Sequence, residues 1–215
     1  MSNLKSILKD KIHDWRPRTK TLLEEHGNVV IDKVTVNQII GGMRGIKCLV
    51  TDISYLDPKE GIRYRGYTLP EVFELLPKPK NSEMPYVEGL LHLLLTGDVP
   101  TESQAHDLVD EFSRRRILPR YVYEVIDAWP CCSHPMAMFS SAILAMARES
   151  FFAKKYKAGI NKMDYWEPMY EDSLNMLAKL PEIGTYIYAK LYRDGKRIVG
   201  NPDLDFGANF AHMMG

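Results

Sequence analysis

The stretch from Tyr165 to Tyr192 constrains this chain most. Apolar residues recur along it at Met169, Leu174, Leu177, Leu180, Ile183, Ile187 and Leu191, a spacing that predicts the longest amphipathic helix of the chain. A helix of that length must lay its stripe against other elements. Pro181 is expected to kink it, because the ring removes a backbone donor and crowds the Leu177 carbonyl. A second segment, Pro135 to Ala147, is Met-, Ala- and Leu-rich with no polar face beyond Ser140 and Ser141. It is expected to be buried on nearly all sides, its small residues admitting a close neighbour.

Shorter helices are punctuated by proline, glycine and capping residues. Leu4, Ile7, Leu8, Ile12 and Trp15 predict a helix over residues 3–26, interrupted near Pro17, with Gly27 as its stop. Pro70 suits the first turn of a helix through Leu76, and Pro85 opens another that ends at Thr96-Gly97. Thr101-Glu102-Ser103-Gln104 is a capping box for a helix to about Arg116, and Pro119 starts one to about Ala128. Ser133-His134-Pro135 supplies a cap, and the residues from Asn209 read as a helix beginning on an exposed Phe-Met-Met surface, so the chain looks cut short. Between residues 28 and 67 the pattern changes. Val29-Val30-Ile31 with Val34-Thr35-Val36, and Cys48–Tyr55 with Ile62–Tyr67, are β-branched or aromatic runs around turn residues, which predict two hairpins.

Composition narrows the function classes. With 28 Lys and Arg against 28 Asp and Glu in 215 residues, no net field draws the chain to nucleic acid or an anionic membrane. Its densest basic run, Arg114-Arg115-Arg116, follows acidic residues where cations suit a helix C-terminus. The longest nearly uncharged stretch, Ala128–Ala147, contains Pro130, His134 and Pro135 and fails as a membrane span. Cys48, Cys131 and Cys132 are odd in number and fit a reducing compartment. The N-terminus has neither a secretory core nor an Arg-rich presequence, which points to a bacterial cytoplasm or, alternatively, a mitochondrial matrix after presequence removal.

No phosphate loop, dinucleotide fingerprint, nucleophile elbow or zinc-protease motif occurs. Cys131-Cys132-Ser133-His134 has no second cluster with which to close a metal site, so no metal and no cofactor is expected. The histidines lack paired acids at an informative spacing. Gly41-Gly42-Met43-Arg44-Gly45 stands out, since glycines around an arginine can turn the backbone tightly and present a guanidinium to phosphate; a plain turn is the other reading.

Taken together, Gly41–Lys47, Leu56-Asp57-Pro58, Gly61–Tyr67, Glu88-Gly89-Leu90, Leu94–Gly97, Val99-Pro100-Thr101, His134-Pro135-Met136, Tyr165-Trp166-Glu167, Tyr170-Glu171-Asp172, Ala178–Pro181 and Asn209-Phe210 resemble the N-terminal part of citrate synthases, in the branch shared by mitochondria and some bacteria. The resemblance runs through the whole chain in order. It implies a mainly α fold: citrate-synthase-like large-domain helices with a small N-terminal β-sheet, the small domain absent. Residues 1–215 then form part of one large domain, with a helix at 3–26, a β region at 28–67 and a helical body at 69–215. It implies a homodimer joined through the helices from Pro135 and Tyr165, and acetyl-CoA and oxaloacetate as substrates of the full-length enzyme, without nucleic acid or membrane. The family reaction forms citryl-CoA and hydrolyses it to citrate and CoA, feeding the tricarboxylic acid cycle.

The resemblance also places the family's catalytic aspartate and histidines beyond Gly215, so the isolated chain is expected to be catalytically incompetent. Arg44 matches an arginine that contacts CoA phosphate in the partner's site. Lys162 stands where a second such arginine is usual, keeping the charge without the planar fork. The alternatives are a fragment of 2-methylcitrate synthase, which uses propionyl-CoA on the same fold, and a non-catalytic helical interaction module.

Overall fold

The computed structural model describes residues 3–80 and 82–215. They form two compact units, one from residues 3–76 and 90–99, the other from 77–89 and 100–215. The first unit opens with α1 (Asn3–His26), in which Leu4 and Leu8 are buried and the residues from Pro17 onward are exposed. The interruption expected at Pro17 does not occur. Proline removes one N–H, whose acceptor would be the carbonyl of His13; His13 is exposed, so water can take the place of that donor.

The first expected hairpin is also absent. Val29, Val30, Ile31 and Val34 lie exposed in irregular chain, and Val36–Ile40 forms a short helix, α2. A lone two-stranded ribbon without a surface to pack on is marginal in water. Local capping decides the matter instead: the Thr35 side chain accepts from the Gln38 N–H, and Gln38 Oε1 accepts from the Thr35 N–H. The second hairpin does form, with shorter strands and one more than expected. β1 (Ser54–Asp57), β2 (Gly61–Tyr64) and β3 (Tyr67–Thr68) make an antiparallel sheet in that order, with Leu56 opposite Ile62 and Arg63 opposite Thr68. Asp57 Oδ1 accepts from the N–H groups of Lys59 and Glu60 at 2.7 and 2.9 Å and so shapes the first turn.

Thr68 then caps α3 (Leu69–Leu75) in a second capping box, with Glu71. Val72 and Leu76 pack with Leu93 of α4 (Val87–Thr96), covered by Tyr64, Tyr67 and Val99. One arginine ties these pieces together. Arg65 donates from Nε and Nη2 to the Leu94 carbonyl at 3.1 and 2.7 Å, pairs through Nη1 with Asp52 at 3.0 Å, and lies 5.6 Å from the Trp15 ring centre. A cation on the last-turn carbonyls of α4 is favoured both as a cap and by the helix dipole.

The second unit is helical: α5 (Glu102–Arg115), α6 (Arg120–Asp127), α7 (Pro135–Met146), α8 (Phe151–Lys157), α9 (Trp166–Tyr192) and α10 (Phe206–Met214). Its core joins Val122 and Ile126 of α6, Met138 and Ala142 of α7, and Ile183 and Ile187 of α9. α9 continues through Pro181 as one helix and packs against α5, α7, α8 and α10. Lys190 donates to the carbonyls of Ile126, Asp127 and Trp129 at 2.9–3.0 Å, closing the end of α6. Arg115 links α5 to α9 through Glu171 and Asn175 at 2.7 and 2.8 Å.

Two expectations for this unit need correction. α7 is not buried all round: Met136 and Leu144 are 58% and 73% exposed, because neighbouring helices cover only its Met138–Ala142 side. At the chain end Phe210 is exposed but Met213 is buried, since α10 folds its C-terminal turn onto α9.

His92 of α4 is buried within the first unit. Its Nδ1 lies 3.2 Å from the Asp98 carbonyl, which fixes the proton there, and the Thr96 hydroxyl donates to the His92 carbonyl at 2.8 Å. Nε2 has no partner. Burial first, and then the Lys11 charge, hold this imidazole below its ordinary 6.5 against the pull of Asp98. Above pH 6.5 His92 is neutral in both folded and unfolded chains; below it the unfolded chain binds a proton that the folded chain resists. The stability His92 contributes is therefore complete above pH 6.5 and is lost as pH falls toward the lowered folded value. Urea titrations at pH 7.5 and pH 5 should show a larger loss for the wild type than for His92→Gln; equal losses would remove His92 as a cause.

Candidate functional site

Arg44 lies in the turn that follows α2. Gly42, Met43 and Gly45 take positive φ angles of 78°, 61° and 70°, a left-handed run that glycine permits and that Met43 tolerates once between them. The Gln38 side chain steadies the turn by donating to the Arg44 carbonyl at 3.5 Å. The Arg44 side chain itself is exposed. Lys162, also exposed, opens a short 3-10 turn, Lys162–Asp164, capped by Asn161 Oδ1 on the Met163 N–H at 2.9 Å. Arg44 belongs to the first unit and Lys162 to the second.

The histidines are occupied structurally or lie on the surface. His134 is the N-cap of α7, its Nδ1 accepting from the Met136 N–H at 3.2 Å, as its position before Pro135 suggested. His106 stacks on Tyr86 with ring centres 5.7 Å apart, and His13, His26 and His212 are exposed. Among the described residues no group of His, Cys, Asp or Glu could hold a metal, and the thiols of Cys48, Cys131 and Cys132 are free and exposed. No helix among them is long and apolar enough to cross a membrane.

A concave site that the sequence did not reveal lies within the second unit. It is a cavity of about 210 Å3 whose polar lining comes from Glu88, Ser113, Arg116, Tyr123, Glu182, Arg197 and Asn209. Glu88 is fully buried in the first turn of α4. One of its oxygens accepts from the Phe206 N–H at the start of α10 at 2.9 Å, and the other has no partner. Burial pushes its carboxyl up, with a smaller contribution from Asp205, against the lowering effect of the Phe206 N–H.

The opposite wall is internally neutralised. Arg197 pairs with Glu182, donates to the Tyr123 hydroxyl at 3.1 Å, and sits 5.0 and 5.6 Å from the ring centres of Tyr123 and Tyr186. Burial first, then the bond to Glu182, raise the Tyr123 hydroxyl to about 12, so it remains a donor. Arg116 differs from Arg197: it donates from Nη1 to the Asn201 carbonyl at 3.1 Å, a neutral acceptor. Asn209 Oδ1 takes the Asn201 N–H at 3.0 Å, which pins the loop before α10. A Cβ on Gly200 would lie 3.0 Å from that Asn209 oxygen, a tight approach that would press on the Asn209 side chain.

Sequence reasoning treated Glu88 only as part of a family segment and Arg116 only as the end of a basic run. The available signal was a lone carboxylate in the mostly apolar helix Val87–Thr96; nothing local could have paired it with Arg116.

The model of the family described as citrate synthase, C-terminal domain, matches residues 42–215. Mitochondrial citrate synthase of Daucus carota is 46% identical over 213 residues, which is 99% of this chain and 45% of that protein. The probable mitochondrial citrate synthase of Caenorhabditis elegans is 46% identical over 215 residues, covering 100% of this chain and 46% of the relative. The crystal structure of citrate synthase from Pyrobaculum aerophilum superposes with a TM-score of 0.67 at 26% identity, covering 81% of this chain and 42% of that one. The chain thus spans under half the length of the curated relatives it matches.

Proposed function

The chain belongs to the citrate synthase family, and we propose that it supplies the N-terminal portion of an enzyme that condenses acetyl-CoA with oxaloacetate and hydrolyses citryl-CoA to citrate and CoA. The observation that carries this reading is 46% identity along 99% of the chain to a protein of which that alignment covers 45%. The chemistry needs a base for the thioester methyl and a donor for the enol oxygen. Burial occupies His92 and capping occupies His134, while His13, His26, His106 and His212 are exposed, His106 beside the Tyr86 ring. By itself, then, this chain lacks the groups the reaction requires and serves as scaffold.

Arg44 and Lys162 are the residues we assign to CoA phosphate, Arg44 by presenting its guanidinium from a glycine-shaped turn and Lys162 by charge alone. The mitochondrial names of the relatives favour the matrix over a bacterial cytoplasm as the place of action. Pairing as a homodimer is supported by apolar side chains left uncovered on two helices that pack together, Met136 and Leu144 on α7 and Met169 and Met176 on α9.

Release of CoA thiol from acetyl-CoA and oxaloacetate tests the scaffold reading. The chain alone should match buffer, while a full-length enzyme carrying this segment should turn over, with Arg44→Ala raising KM for acetyl-CoA roughly tenfold at little change in kcat, the loss of one charge-assisted contact. Turnover by the chain alone would contradict the scaffold role, and an unchanged KM would remove Arg44. For pairing, the melting midpoint should rise with protein concentration; a monomer whose midpoint is independent of concentration would contradict it.

A further inference from the structure

The cavity beneath Glu88 holds two ionisable groups that form no ion pair among the described residues, the nearby His106 acting on Glu88 only as the weakest influence on its carboxyl. One Glu88 oxygen has no partner, although the side chain is fully buried. Arg116 meets only the Asn201 carbonyl among the described residues. The other two charges in the wall, Glu182 and Arg197, neutralise each other. A buried carboxyl oxygen without a donor costs about 1–3 kcal/mol, a cost that a ligand would relieve.

The occupant must satisfy both ends at once. A simple anion would suit Arg116 and be repelled by Glu88; a simple amine would suit Glu88 and be repelled by Arg116. Much of the remaining lining is apolar, with Phe112, Leu118, Pro181, Leu204, Phe206 and Met213, and Ser113 adds a hydroxyl. Water alone could fill the volume, but along the apolar part of the wall it finds no partner. At about 210 Å3 the space falls below the roughly 300–1,000 Å3 of cofactor and drug-sized sites, which favours a small ligand. A dicarboxylate such as oxaloacetate would set a second negative charge against Glu88. The site is therefore separate from the chemistry proposed above and does not depend on it.

We infer that this cavity binds a small α-amino acid with an apolar side chain, its carboxylate on the Arg116 guanidinium and its ammonium on the free Glu88 oxygen, with the side chain against Phe112, Leu118 and Met213. Glu88 keeps its bond from the Phe206 N–H throughout, so occupancy joins the start of α10 to α4 within this unit. A bound ammonium also favours the ionised carboxylate that burial alone opposes.

Calorimetric titration of the whole chain with L-leucine tests this, with isovalerate and isoamylamine as probes lacking one charged end each. L-leucine should bind saturably, one per chain, and each half-ligand should bind at least tenfold more weakly. Glu88→Gln keeps an acceptor for Phe206 but loses the charge; Arg116→Gln removes the cation. Each should weaken leucine roughly ten- to a hundredfold, the loss of one hydrogen bond to a charged group. Arg116→Lys, which keeps the charge without the fork, serves should Glu88→Gln fail to fold, and should weaken binding by a smaller factor. The inference is overturned if leucine shows no saturable heat up to its solubility limit, if the half-ligands bind as well as leucine, or if the folded variants bind it unchanged.

Discussion

The burial of α9 against α6 and α7 is the contact on which the second unit depends. Ile126, Val122, Met138, Ala142 and Ile183 reach essentially zero exposure there, and Ile187 nearly so. Each large aliphatic side chain taken from water contributes about 1.5–3 kcal/mol, and this cluster brings Leu118, Val122, Ile126, Met138, Ile183 and Ile187 together. The small Ala142 lies in that cluster beside Ile183 and Ile187 and leaves room for the larger residues to interdigitate. Several polar contacts of the unit converge on α9. Lys190 closes α6 from the α9 side, Arg115 bolts α5 to α9, and Asp172 of α9 caps α8 by accepting from Ser150, Phe151 and Phe152 at 2.6–3.0 Å.

The first unit is held differently. Its apolar cluster is small, and Arg65 does much of the joining by spanning the sheet, the end of α4 and the Trp15 ring. Residues 29–53 contribute little to that cluster: Val50 is 94% exposed and Ile40 80%. An apolar stretch so open to water marks a surface that gains from being covered, and the exposed Arg44 turn lies within it. Low burial is also what a segment needs if it is to adapt its shape to a partner or a phosphate group.

How far the sequence revealed this structure depended on whether the deciding signal was local. Periodicity and caps placed α5, α6, α7 and α9 within a residue or two, because proline, threonine and capping-box patterns act over a single turn. The same logic explains the main error. Val34-Thr35-Val36 reads as strand by propensity, yet Thr35 and Gln38 satisfy each other's backbone, and without a sheet to join, the local bond wins. The third strand was overlooked because Tyr67–Thr68 is too short to show alternation. The Glu88–Arg116 cavity was illegible for a further reason: its parts come from α4, the end of α5, the middle of α9 and the loop before α10, and only tertiary packing brings them together. Which faces of α7 stay open was likewise a tertiary fact, invisible to composition.

If the α9 seam organises the chain, local opening should follow it. Amide hydrogen exchange followed by mass spectrometry reads this directly. The account predicts the slowest exchange at residues 174–189 of α9 together with the facing turns of α6 and α7, and exchange near the unstructured rate across residues 28–53. Protection of residues 28–53 equal to that of α9, or an α9 that exchanges as fast as the loops, would contradict it.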